Sequence, residues 1–363
     1  MPATVFASAL IFLSCHRDEP CATCPSDAGD TTSHNFAWVQ YTLGGAASSA
    51  LYDVAILNDT CAVAVGEIFI SDSSGGVDPF PYSIALWNGK NWRLKKVYDT
   101  DSQVISNIRG VFAFSPTDIW IADGGVHHWD GTSPQTDASF GRISLIGGVE
   151  NGQSINRLWG TNSRDLYGVG WRGLVTHYNG NNWQKISSGT TLDIRDIWGA
   201  TIDNPFTQTA AATQILAVAS GNSPAEGKKL LYINGTTVTA VPDSGLSWSL
   251  YGIWFVPGQK YYVVGAGIGQ KSVLDASPWS VYPSGVVTSY LSGCVRGNGV
   301  NEVFVVGSYL ECVHFNGDSW HNYRDQIPFA DGALGRVAVK GNLAIAVGSI
   351  GQQAVAIVGR RRG

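Results

Sequence analysis

One stretch constrains the fold more than any other: residues 155–183, INRLWGTNSRDLYGVGWRGLVTHYNGNNW. Turn chemistry cuts it into four short apolar runs. Leu158-Trp159-Gly160 ends the first, and Asn162-Ser163-Arg164 turns the chain. Asp165 opens the second, Leu166-Tyr167-Gly168-Val169-Gly170. Trp171-Arg172-Gly173 is another turn, and Leu174 to Tyr178 is the third run. Asn179-Gly180 then supplies the positive φ angles that a tight hairpin needs. Residues 182–186 form the fourth run, with Trp183 and Lys185 on one face and Gln184 and Ile186 on the other, because strand side chains alternate. Four short strands joined by tight turns make an antiparallel meander.

The pattern recurs on both sides. Copies begin near Leu51, Ile108, Ile194, Leu250, Leu291 and Leu334, at intervals of roughly 40 to 60 residues, the range expected of propellers and solenoids. The last copy, ending in Val355-Ala356-Ile357-Val358, lacks a fourth strand. An orphan run at the start, Ala37-Trp38-Val39-Gln40-Tyr41-Thr42, resembles the fourth strand of the other copies. A first strand that completes the last unit closes a ring and leaves no exposed edge. The reading is therefore all-β: a seven-bladed β-propeller of four-stranded antiparallel blades over residues 36–359. A low share of charged residues (14%), with 44 glycines and 13 tryptophans, suits such a turn-rich chain.

The line W-G, D-[LVI]-[YW]-x-V-G, H-Y-N-G-x-x-W resembles the tandem repeats of secreted bacterial β-propeller proteins, related in style to sialidase-like BNR and photosystem-II-assembly-factor propellers. The resemblance implies the fold. It leaves activity open, because one propeller architecture hosts many functions.

Residues 1–15 read as a lipoprotein signal peptide, an apolar run followed by Phe12-Leu13-Ser14-Cys15, with Cys15 as the lipidated residue. The apolar run is too short to span a bilayer. Residues 16–35 read as a flexible polar tether. Residues 360–363 read as a short, solvated basic tail. The expected setting is extracytoplasmic, lipid-anchored to a bacterial (outer) membrane, surface exposure included, with the anchor as the sole membrane contact. The expected state is monomeric. Net charge is −5, which argues against nucleic acid as a partner.

No metal or other cofactor is expected. Cys21 and Cys24 lack the second ligand pair that zinc requires. Cys294 and Cys312 fall on the first and third strands of one blade, about 9 to 10 Å apart across the intervening strand, too far for a disulfide. They are expected to be free buried thiols, and Cys61 a packing residue on a core strand.

Function in a regular scaffold concentrates in its long loops. The loops between second and third strands, and those joining blades, share one face. Trp171, Arg172 and Tyr309 lie there as candidate ligand contacts. Trp171 is the sharpest of them, since other blades carry Asp123, Ser308 or Ala266 in that turn. Early first-strand positions hold Tyr52, Arg109, Asn156, Arg195 and Tyr251. Two readings stand for the arginines. Arg109 and Arg195 ring the channel mouth and hold an anion or a carboxylated sugar, to which guanidinium forks are suited; or Arg109, Arg157, Arg195 and Arg336 pair with Asp53 and Asp196 between blades. His128, His177 and His314 share one repeat position and read as structural. Asp118, Asp165 and Glu302 read as acceptors of turn backbone hydrogens, and Trp120, Trp159, Trp198 and Trp254 as inter-blade packing.

No nucleophile elbow, phosphate loop, zinc-protease helix motif or dinucleotide fingerprint occurs. The reading is a non-catalytic binding propeller, its partner an envelope protein or a glycan. The alternative is a glycan-binding or sialidase-like hydrolytic propeller, which would place loop carboxylates such as Glu67 or Asp72 at work.

Overall fold

The computed structural model describes residues 31–71, 74–137, 146–202 and 212–362. Seven blades of antiparallel strands form a ring. Blade one comprises β2 (Ala50–Asn58), β3 (Cys61–Ile68), β4 (Tyr82–Trp87) and β5 (Trp92–Lys95). Blade two has β6 (Gly110–Ser115), β7 (Asp118–Ala122) and β8 (His127–Trp129), three strands among the described residues. Blade three is β9 (Ile155–Asn162), β10 (Asp165–Gly170), β11 (Val175–Tyr178) and β12 (Trp183–Ile186). Blade four runs through β13 (Ile194–Ile202), β14 (Ala212–Ser220), β15 (Lys228–Asn234) and β16 (Thr237–Val241). Blade five is β17 (Leu250–Val256), β18 (Lys260–Gly265), β19 (Gly267–Lys271) and β20 (Ser280–Tyr282). Blade six is β21 (Ser292–Gly299), β22 (Glu302–Gly307), β23 (Cys312–Phe315) and β24 (Trp320–Asn322). Blade seven is β25 (Gly332–Lys340), β26 (Leu343–Ile350) and β27 (Gln353–Arg361), completed by β1 (Phe36–Thr42). The orphan strand closes the ring as the repeat implied, pairing Phe36 with Arg361 through to Thr42 with Val355.

The core is a set of layers between blades. Each of the seven interfaces holds one cluster of buried apolar side chains. Successive residues of a strand feed opposite interfaces. Leu166 packs toward blade two and Tyr167 toward blade four. Trp183 and Ile186 divide the same way. Central strands are thus buried on both faces, which is why they read as unbroken apolar runs.

Two expectations about the chain's ends are corrected. Residues 32–35, expected within the tether, are tied to blade six: Thr32 accepts from Asn316 Nδ2 (3.1 Å) and donates through its hydroxyl to Asn301 O (2.6 Å). Arg360 and Arg361, expected in a solvated tail, extend β27. Arg361 is ion-paired to Glu302, and Arg360 donates to Asp59 O at 2.8 Å. Cys61 opens β3, a central strand of blade one, and is half-buried, whereas Cys294 and Cys312 are free and buried, as expected. Both pair in register with Val306, on either side of it. Cys15, Cys21, Cys24 and Asp72 lie outside the described residues. Among the described residues no helix is long and apolar enough to cross a membrane.

Candidate functional site

The inner strands carry a device that the sequence does not announce. In six of them the pairing register skips one residue: Tyr52, Asn156, Arg195, Tyr251, Gly293 and Gly335. Arg109, just ahead of β6, holds the seventh place. Such a bulge bends the strand and re-aims the extra side chain. All seven residues line one cavity of about 310 Å³ at the channel mouth on the loop face. The bulge also explains the recurring Val-Gly. It carries a carbonyl over the end of the second strand, so a Cβ on Gly170 would lie 1.9 Å from Ser154 O, and one on Gly265 1.7 Å from Ser249 O.

The mouth is asymmetric. Arg109 is flanked by two aromatic rings, with its guanidinium 5.0 Å from the Tyr52 ring and 5.5 Å from Trp171. Trp171 sits on a single 3₁₀ turn, 42% exposed, where blade one carries Glu67. Burial raises the Glu67 carboxyl above its usual range, with Arg109 opposing. Burial, and then Glu67, raise the Tyr52 hydroxyl. Arg195 stacks on Tyr251 at 5.6 Å, donates to Asn222 at 2.8 Å and approaches Asp193 at 3.4 Å. Opposite these, Gly293 and Gly335 leave the wall bare; a Cβ on Gly335 would meet nothing within 4 Å.

Below the mouth lies a charged waist. Arg157 lines both the upper cavity and a second one of about 230 Å³ that opens to the other face. Arg157 and Arg336 do not pair with Asp53 or Asp196, contrary to one of the two readings of the arginines. Arg157 Nη1 donates to Asn156 O (2.7 Å) and Arg109 O. Arg336 donates to Gly293 O (2.8 Å) and Arg195 O (2.9 Å). Asp196, fully buried, is held instead by Arg296 of blade six, with two nitrogens at 2.8 Å. Asp53 accepts the backbone N–H groups of Val54 and Val111. Arg296 also stacks over Trp198 at 5.0 Å, so Trp198 serves the channel as well as the blade interface.

The other candidates fall elsewhere. Arg172 adopts a left-handed backbone (φ 54°) and donates to Asn151 O at 2.9 Å. It lines a separate polar groove with Lys185, Glu226 and Lys229. Tyr309, also left-handed (φ 56°), is stacked on Phe329 at 4.9 Å and against Tyr290 at 4.5 Å. Arg324 lies over Tyr290 and Phe329. Tyr309 therefore belongs to an aromatic cluster beside the mouth, and the sequence reading missed Tyr290 and Phe329. Their only signal was a long blade-to-blade connection.

The repeated acids are corrected too. They hold the repeated histidines rather than capping turns: Asp118 with His128 (3.0 Å), Asp165 with His177 (2.7 Å), and Glu302 facing His314 at 3.5 Å. The histidine rings stack on the aromatic residues between, as His177 does on Tyr167 at 4.4 Å. These are struts between second and third strands. Among the described residues no group of three or more His, Cys, Asp or Glu could hold a metal ion.

The surface singles out one face. Ten large apolar side chains are exposed among the described residues. Eight of them (Val77, Phe80, Trp171, Trp248, Val286, Leu291, Tyr309 and Phe329) lie on second-to-third-strand loops or blade-to-blade connections, and only Val39 and Val273 lie elsewhere. Exposed apolar area concentrated this way marks interaction surfaces.

Fold and site together define a seven-bladed β-propeller with a channel mouth framed by apolar loops. Solved propellers resemble it closely in fold. One is described as YCF48 bound to D1 peptide, with a TM-score of 0.62, 14% identity, and coverage of 90% of this chain and 95% of that one. Another is the WD40 β-propeller domain of Doa1, at 0.60 and 12%, covering 91% and 98%. A third, YCF48 from Cyanidioschyzon merolae, aligns at 0.55 and 13%, covering 89% and 98%. No protein-family model and no curated protein matches the sequence.

Proposed function

We propose that this chain is a non-catalytic binding propeller that holds a segment of a protein partner on its loop face, over the channel mouth. The concentration of exposed apolar side chains on that face carries the reading. Binding residues beside a well-packed ring, with aromatic and arginine anchors, fit what dominates protein interfaces. A structural neighbour described as bound to a peptide supports it by analogy of fold. The lipobox-like run ending at Cys15 motivates the accompanying proposal of a lipid-anchored, extracytoplasmic protein of a bacterial envelope.

The test is capture of partners from solubilised envelope of the encoding organism on immobilised protein, wild type against Trp171→Ala. A protein enriched by the wild type and reduced at least tenfold by the variant is expected. Equal capture by both would refute the loop-face reading. Enriched polysaccharide without protein would favour the glycan-binding alternative.

A further inference from the structure

The channel waist carries more positive than negative charge. Three guanidiniums (Arg157, Arg296, Arg336) face two carboxylates (Asp53, Asp196), an excess of one. The rim does not correct it: Arg195 is ion-paired to Asp193, and Arg109 has the Glu67 carboxyl within electrostatic reach, so the rim adds no negative excess. Arg296 and Asp196 neutralise each other. Asp53 spends its oxygens on backbone N–H groups. Arg157 and Arg336 form no ion pair among the described residues, and their hydrogen bonds go to carbonyls. Burial and the like charge of Arg336 push the Arg157 guanidinium down to about 10, more than Asp53 and Asp196 offset. Arg336 is only 5% exposed, and its Nε has no hydrogen-bond partner; neither has the Nε of Arg157 or of Arg195. All three arginines line the same upper cavity. Folded proteins seldom leave buried cations uncompensated, because desolvating a charge without a counter-charge is costly.

We propose that the waist between Arg157 and Arg336 is a site for one monovalent anionic group, the carboxylate of a ligand that enters from the loop face. The proposal rests on the loop-face reading above and names the chemistry of its deepest contact. The excess of one charge sets the valence. The cavity above holds about 310 Å³ and is walled by Tyr52, Trp171 and Tyr251, so it accommodates an apolar or aromatic body behind the carboxylate. The bare wall at Gly293 and Gly335 gives that body room.

The probes are 3-phenylpropionate and its neutral amide, 3-phenylpropanamide, titrated calorimetrically into the protein in chloride-free buffer. The acid is expected to bind at least ten times more tightly than the amide. Arg336→Met should abolish the preference. Because Arg336 also holds carbonyls, a second variant leaves the waist intact: Gly335→Trp fills the mouth from a position with open space in front of it. It should weaken the acid at least tenfold with an unchanged melting temperature. Sodium chloride that competes with the acid would keep the anion site and assign it to a free halide as well. No binding of the acid at millimolar concentration, equal binding of acid and amide, or unchanged binding in both variants overturns the proposal. Partner capture by the same proteins separates the two readings. Capture that is lost in Trp171→Ala while acid and amide bind alike overturns the anion site and leaves the loop-face reading standing.

Discussion

Removing the charge of Asp196 tests the description of the waist most directly. Asp196 is 0% exposed, receives two Arg296 nitrogens at 2.8 Å and accepts the Ile253 N–H at 3.0 Å. Desolvation opposes its ionisation, yet Arg296 and Arg336 outweigh it and hold the carboxyl below its usual range. Asp196→Asn keeps the shape and an acceptor for Ile253 but leaves three guanidiniums against one carboxylate. Breaking one side of a buried pair costs about 3–5 kcal/mol. Retaining the acceptor puts the expectation near the lower end, about 3 kcal/mol, or a melting temperature lowered by roughly 4 °C in a chain of this length. Asp196→Leu/Arg296→Met should recover most of the loss, since apolar replacement of a buried pair is often neutral. Urea unfolding followed by tryptophan fluorescence and circular dichroism, on Asp196→Asn and on the cycle of Asp196→Leu, Arg296→Met and their double, gives the cost and the coupling. The waist argument fails if Asp196→Asn costs less than about 1 kcal/mol, or if the two single losses add within about 0.5 kcal/mol in the double variant.

Three further outcomes are expected. Burial, then His314 and His321, lower His34 to about 4, and burial lowers His314 as well. Both rings are therefore neutral in the fold, so their contribution is complete above the unfolded value near 6.5 and is lost as pH falls toward 4. His34 Nδ1 lies 2.9 Å from His314 Nδ1, with His321, Glu302, Arg361 and Tyr323 around them, so the melting temperature should drop between pH 7 and 5, and His34→Asn should flatten that drop. An equal drop in the variant would exclude the pair as its cause. Gly170→Ala places a methyl 1.9 Å from Ser154 O and should destabilise by at least about 1–3 kcal/mol, measured by thermal unfolding; a neutral result would discard the steric account of the Val-Gly repeat. Cys15→Ser should move the protein from the membrane to the soluble fraction of the native cell, and unchanged fractionation would remove the lipid-anchor proposal.

The fold was legible because its signals are local. Asn179-Gly180 marks a hairpin, the Leu166-to-Gly170 run marks a strand buried on both faces, and Ala37–Thr42 matches a strand missing three hundred residues later. The waist was not legible, because its bonds cross the channel. Arg296 reaches Asp196 over 100 residues of sequence, and no repeat phase relates the two. The acids at 118, 165 and 302 and the histidines at 128, 177 and 314 were both visible, but their pairing needed the register of second against third strands. Arg361 read as tail because nothing local distinguishes a charged strand end from a solvated terminus. Its role follows from β1 lying beside it and Glu302 beneath it.

A repeat states its own structural rule, so the positions that break the rule carry the information about function. Val-Gly at the end of the second strand holds in five blades, where a Cβ would strike the carbonyl two residues before the bulge. The residue before the bulge is apolar in most blades, because it packs between them. The bulge residue itself follows no rule: tyrosine, arginine, asparagine, arginine, tyrosine, glycine, glycine around the ring. Folding does not choose among them, since each points into the channel mouth rather than into a core layer. The residue after the Val-Gly is equally free and is Glu67 in one blade and Trp171 in another. The large and charged choices gather on blades one to five and the glycines on six and seven. That division gives the mouth one chemically equipped wall and one open wall, an asymmetry that the repeat itself does not impose and on which the proposed ligand site rests.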